Sequence, residues 1–292
     1  MSIRIKAIYQ LQKILGAREA TDIINLSKQQ ESLEAKWQRK MKEEIQKITT
    51  ELMKNAKTTG KLKFSEVDFS EIVMAHSFEV LKSGINSAQK RPQVRAERLA
   101  GPPKSQIPRS MKALRIMWDK WRTIGKMPPR QKSIAEKLKK AYLKKVQSVW
   151  VKYGDEFRSG ITESATRAVE KIQEGADVIY SRAKMIVETE TTYYYNRARR
   201  DIYDESPDVT HYLFVAIRDH ATTKWCKTRN GLVYAKGDPL LETETPPIHW
   251  NCRSEILPLT AHNPNHRKLI EDPSRKRRNH KCFPLPKGWT GR

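Results

Sequence analysis

The chain of 292 residues is long enough for two or three domains, yet 38% hydrophobic against 31% charged residues is lean for one compact globule. The net charge of +24 points to a polyanionic partner, and no apolar run approaches the roughly 20 residues that a bilayer span needs. Three widely spaced cysteines exclude a disulfide framework, and the first residues are too short and amphipathic a stretch for a secretory signal, so folding in a reducing cytoplasm is expected.

In chain order, Ile5, Ile8, Leu11 (or Gln12), Ile14 and Leu15 share one face of a helix predicted over 3–15. Thr21-Asp22 can cap a second helix running to about residue 57. Its apolar positions Leu26, Leu33, Trp37, Met41, Ile45, Ile48 and Leu52 make it a long amphipathic rod, either a coiled-coil arm or one limb of a helical hairpin. Thr58-Thr59-Gly60 stops it. A helix over 65–83 carries Val67, Ile72, Met74, Phe78 and Leu81, with His76 read as a surface or half-buried residue rather than a ligand. From 85 to 130, Pro92, Pro102, Pro103, Pro108, Pro128 and Pro129, with Gly101 and Gly125, forbid long helices. Between them one short helix over 111–125 sets Trp118 and Trp121 on a shared face among Arg115, Lys120 and Arg122. Such tryptophans either stack on bases or pack a domain.

Helix returns over 131–153, with Ile134, Leu138, Tyr142 (or Ala141), Val146 (or Lys145) and Val149 apolar and Lys132, Lys137, Lys139, Lys140, Lys144 and Lys145 opposite. The positive charge is blocked: 90–145 carries +15 and 267–292 carries +7, leaving the rest nearly neutral. A one-signed face of this kind calls for an anion, and double-stranded DNA bound without sequence preference is the expected one. Further helices over 159–203 lead to a different kind of segment. Glu188 and Glu190, two residues apart, point to different faces and cannot act jointly.

The segment 206–260 reads as a small α+β module. Tyr212, Phe214 and Ala216 alternate along a strand ending at Arg218-Asp219; Arg229-Asn230-Gly231 is turn-like; 232–234 is a second strand; a Pro-punctuated loop leads to His249-Trp250-Asn251-Cys252-Arg253. After Thr260 the sequence loses periodicity and is expected to be an extended basic tail, with Arg275, Lys276, Arg277 and Arg278 facing DNA and Phe283 and Trp289 as its anchors. Cys226, His249 and Cys252 are ligand types for tetrahedral zinc, with Asp219, His220, His262 or Cys282 as the fourth. No cofactor is required by the sequence, and the same three residues also read as small buried cysteines beside a hydrogen-bonded histidine. Asp219-His220 with His249 and Asn251 fits the order and spacing of an HNH nuclease poorly. A structural role, with Asp219 accepting from Arg253 or backbone amides, is preferred.

Asp219, Thr222, Cys226, Gly231, His249, Cys252 and Arg253 resemble, in order and spacing, the C-terminal domain of the Mu F-like head morphogenesis family of tailed phages. Upstream, Thr189, Glu190, Asn196, Ala198 and Arg199 resemble that family's helical segment, so the likeness covers about 182–260. Thr223 and Ser254 stand where many members carry further cysteines. The resemblance implies a mainly α protein with a small α+β C-terminal module, an elongated helical N-terminal region and an extended basic C-terminal tail. Its expected parts are 1–84 (portal or assembly contact), 85–130 (Pro-rich basic linker), 131–205 (helical), 206–260 (module) and 261–292 (tail). It also implies a non-enzymatic minor head protein inside the capsid near the portal vertex, made in the host cytoplasm. Its expected partners are the portal protein, capsid or scaffolding proteins and duplex DNA. A metal-dependent DNA-processing enzyme or a zinc-containing DNA-binding protein is the alternative.

Overall fold

The computed structural model describes residues 17–59, 61–89, 109–158, 162–216, 220–287 and 289. The helix expected over 3–15, residues 90–108 of the proline-rich stretch and Asp219 lie outside them. The chain is mainly helical with one small antiparallel sheet in its C-terminal part, as the sequence implies. Five helices come first: α1 (Ala17–Thr59), α2 (Ser70–Gln89), α3 (Arg109–Ile124), α4 (Pro129–Arg158) and α5 (Thr162–Asp204). The sheet module holds β1 (Val209–Val215), the single turn α6 (Lys224–Lys227), β2 (Val233–Ala235), α7 (Pro239–Glu244), β3 (Glu255–Thr260) and α8 (Pro264–Glu271). No helix among the described residues is long and apolar enough to cross a membrane.

The chain divides into two compact units. One comprises Glu34–Phe78 and Ile116–Val187. Its core is the apolar stripe that the sequence predicts: Trp37, Met41, Ile45 and Leu52 of α1 with Leu138, Tyr142 and Val146 of α4, all buried. The Thr49 hydroxyl meets the Tyr142 hydroxyl at 2.8 Å, and Phe69 packs edge-on against the Tyr142 ring. His76 is buried against the edge of Trp37, and burial lowers its pKa to about 3, so it is a neutral core residue. Trp118 packs on Phe78 and Trp121, which answers the choice between base stacking and packing in favour of packing. Gly125, at φ 66°, closes α3 by donating its N–H to the Trp121 carbonyl, and Pro129 opens α4.

The other unit comprises the described residues of Met1–Leu33, Glu79–Arg115 and Glu188–Arg292. The boundary expected at 84 falls inside α2. Ile85 and Ala88 enter the module's core, and Gly84 lets α2 approach α5: an added Cβ would lie 2.9 Å from the Ala198 Cβ and 3.0 Å from the Tyr195 carbonyl oxygen. The sheet order is β2-β1-β3, all antiparallel. Tyr212, Phe214 and Ala216 face α5 as the alternation predicts, while Leu213 and Val215 face the other way with Val233, Leu257 and Leu259. Pro258 sits in β3, an edge strand that tolerates a missing N–H.

The tail departs from expectation. Residues 280–286 carry no regular structure, but 264–279 fold onto the module. Leu269 of α8 covers the second sheet face, and His266 Nδ1 accepts the Thr260 N–H at 3.0 Å. Lys276 bridges Val233 in parallel, so the tail runs beside β2. Buried Glu244 is the anchor. Arg277 grips it with two nitrogens at 2.7 Å each, Arg229 Nη2 lies at 2.8 Å, and the Tyr234 hydroxyl donates at 2.7 Å. Burial alone would raise the Glu244 pKa; the hydrogen bonds from Arg277, Arg229 and Tyr234 outweigh it and hold it at about 2. Its folded value lies below the ordinary 4.5, so its contribution is fully present above that value. It is lost as pH falls towards 2, a difference of about 3 kcal/mol. Glu244→Gln should lower the melting temperature at pH 7 by several degrees, and the gap from the parent should shrink steadily below pH 5. A gap that is constant from pH 7 to pH 3 would contradict this anchoring.

Candidate metal centre

The site is built on one face of α5. Thr189, Thr192, Asn196 and Arg199 recur at spacings of three and four, so they form a single stripe, and all four are buried. Buried polar groups need partners. They find them on the 251–256 segment: the Asn251 N–H donates to Thr189 Oγ1 (3.0 Å), Thr192 Oγ1 donates to the Cys252 carbonyl (2.8 Å), and Arg199 Nη1 donates to the Glu255 side chain at Oε2 (3.0 Å). Asn196 pairs like a neighbouring strand. Its Nδ2 donates to the Ser254 carbonyl and its Oδ1 accepts the Ile256 N–H, both at 3.3 Å. Glu190 is buried on the same helix. Thr192 also accepts from Gln30 of α1 at 3.1 Å.

This stripe fixes the chain that carries His249 and Cys252. The third residue, Cys226, comes from α6, which the Arg229-Asn230-Gly231 turn secures: Gly231, at φ 81°, donates to the Phe214 carbonyl, and Asn230 Oδ1 accepts the Ala216 N–H. The three ligand atoms lie within 4.8 Å of one another, all in buried residues. Cys226 Sγ is 3.1 Å from His249 Nε2 and 3.8 Å from Cys252 Sγ. His249 Nδ1 donates to the Trp250 carbonyl at 2.6 Å, which turns Nε2 towards the sulfurs. Thr222, Thr223, Asn251, Arg253 and Ser254 line the small pocket above.

Burial would raise the Cys252 pKa, but hydrogen bonds from Cys226 and His249 outweigh it and hold this thiol well below its ordinary value. Cys226, the donor to Cys252, is pushed up by that bond and by burial. At His249 burial favours the neutral ring, and the Cys252 sulfur more than offsets it. A thiolate is thus favoured where a soft cation would sit. The donor set fits three positions of a tetrahedral zinc, and Thr223 lines the same pocket. A zinc held here would tie α6 to the 249–252 segment as a structural cross-link.

The expected fourth ligands do not join among the described residues. His220 is exposed, His262 lies 3.9 Å from Asp208, and Cys282 donates to the Thr228 carbonyl at 3.5 Å. Asp219, and with it the expected Asp219–Arg253 contact, lies outside them. Among the described residues the pocket lining holds no carboxylate. On α4, Lys132, Lys137, Lys140 and Lys144 are exposed and Lys139 and Lys145 half-buried, opposite buried Ala135, Leu138, Tyr142 and Val146. In the tail, Arg277 is held by Glu244, Arg275 by Asp272 and the Gly231 carbonyl, and Arg278 reaches Asp238 while remaining 70% exposed. Sequence reasoning missed Thr192 and Glu255. The signal for Thr192 was present in its spacing from Thr189 and Asn196.

Metal-free reduced protein should take up about one equivalent of zinc and melt at a higher temperature, and Cys252→Ser should lose both effects. No uptake by the parent, or equal uptake by the variant, would reject the centre.

Residues 132–257 match the model of the family described as Phage Mu protein F like protein. No curated protein and no solved structure matches the chain. The matched segment opens near the start of α4 and closes in β3, so it takes in the polar stripe and all three ligand types, and it begins well before the 182 at which the motifs first resemble the family. Over this segment the chain is similar to the Mu F-like family of phage head morphogenesis proteins.

Proposed function

We propose that the protein is a minor head protein on the inner side of the capsid at the portal vertex, where it grips duplex DNA without sequence preference and assists packaging, retention or ejection. The similarity of residues 132–257 to the Mu F-like family supports a role in phage head morphogenesis. The observation that carries the contact with DNA is the cationic face of α4. Exposed Lys132, Lys137, Lys140 and Lys144 stand along about 20 Å of helix, opposite a buried apolar stripe. The ion pair on this stretch, Lys132 with Glu136, is 4.0 Å long and exposed, and such a pair holds its lysine weakly. Duplex DNA presents a dense phosphate array at that length scale, and lysines opposite it displace condensed counterions. The tail contributes less than its charge suggests, because Arg277 is bound to Glu244, whereas Lys276 and Arg278 remain exposed. The portal, with capsid or scaffolding proteins, is the expected protein partner, and the protein resides in the virion after assembly in the host cytoplasm.

Affinity for a random duplex should fall steeply with salt, with a log–log slope near about −5 for six phosphate contacts. Replacing Lys137, Lys139, Lys140 and Lys144 with Gln should make that slope shallower by several units. An unchanged slope in this variant, or no duplex binding by the parent at about 50 mM salt, would overturn the DNA reading and leave the lysines to an acidic protein surface.

A further inference from the structure

The module carries a second cationic surface of a different kind. Trp250 is 49% and Phe283 46% exposed, unusual for side chains of this size. They are not isolated. Trp289 meets Trp250 edge-on at 5.4 Å, Trp225 lies 5.8 Å from the His249 ring beside Trp250, and the Lys224 ammonium stands over both Phe283 (4.9 Å) and Trp225 (5.7 Å). Nor is Trp250 on a loose loop. Its carbonyl is held by His249 Nδ1, and the next N–H, that of Asn251, is held by Thr189 of α5. An aromatic face is thus presented to solvent on backbone that is already fixed.

Charge identifies the occupant. The segments that build this surface, 220–231, 249–254, 280–287 and 289, contain Lys224, Lys227, Arg229 (paired with Glu244), Arg253, Lys281 and Lys287 and not one Asp or Glu. Lys224, Lys227, Lys281 and Lys287 are exposed. Aromatic faces interleaved with cations suit a ligand that is itself flat, aromatic and anionic. A duplex hides its base faces within the stack; an unpaired strand offers them. We infer that this surface binds single-stranded nucleic acid, stacking bases on Trp250 and Phe283 while the lysines hold phosphates. It is separate from the lysine face of α4, which reads phosphates alone, so either reading can fail without the other.

The test uses full-length protein and three labelled probes: an oligothymidylate of about 20 nucleotides, an abasic strand of the same length and charge, and a duplex. The parent should bind oligothymidylate about tenfold or more tighter than the abasic strand. Trp250→Ala with Phe283→Ala should erase that preference while leaving duplex affinity unchanged, with an unaltered melting temperature as the check on folding. If the double variant is poorly folded, Lys224→Gln, on an exposed side chain, should still weaken oligothymidylate binding more than duplex binding. Equal affinity of the parent for the abasic strand and oligothymidylate, equal losses on all three probes, or no oligothymidylate binding at about 50 mM salt would each overturn the inference. The last would return the surface to a protein partner.

Discussion

Four side chains on one helical face, Thr189, Thr192, Asn196 and Arg199, determine where the rest of the module can be. They turn a helix inward on its polar side, which is tolerable only because each finds a hydrogen-bonding partner on the 251–256 segment. The arrangement also closes an open edge. Among the described residues no strand lies on the free side of β3, and Asn196 supplies one acceptor and one donor there. With that segment fixed, His249 and Cys252 have one position, and the α6 turn delivers Cys226 to them. A metal bound here would add to a site that protein groups already preorganise, with three ligand types gathered among the described residues.

The positive charge serves more than one purpose. Part of it is internal: Arg199, Arg229 and Arg277 each answer a buried carboxylate, with Glu255 for the first and Glu244 for the other two. Such pairs are costly to break singly because the remaining charge is left buried. They therefore fix the fold rather than the partner. Among the described residues, exposed lysines stand on the outer face of α4 and on the aromatic surface around Trp250, two surfaces with different chemistry.

Much of the helical part was legible in the sequence because its signal is local. Leu138, Tyr142 and Val146 repeat at helical spacing and are buried; Gly125 and the Pro128-Pro129 pair mark the α3–α4 junction; Gly231 marks the turn before β2. The tail was not legible for the opposite reason. Eight residues of α8 bury only His266 and Leu269, too few to show a period, and the order of residues 272–279 comes from Arg277 meeting Glu244, 33 residues away. The polar stripe was half legible. Thr189, Asn196 and Arg199 stood out through resemblance, but threonine and asparagine on a helix look solvated until a partner backbone 60 residues on is known. For the centre, the three ligand types were evident, and the fourth was sought in residues that fold elsewhere.

The dependence of the site on the α5 stripe is tested most directly by amide hydrogen exchange at Ile256 in Asn196→Ala compared with the parent. The Ile256 N–H points to Asn196 Oδ1 rather than to a neighbouring strand, so the variant should lose most of its protection at that amide. Protection at Phe214, whose N–H donates to the Leu232 carbonyl at 2.9 Å, should remain. Equal protection of Ile256 in both proteins would show that the β3 edge, and the cysteine and histidine turn before it, hold their positions without the stripe.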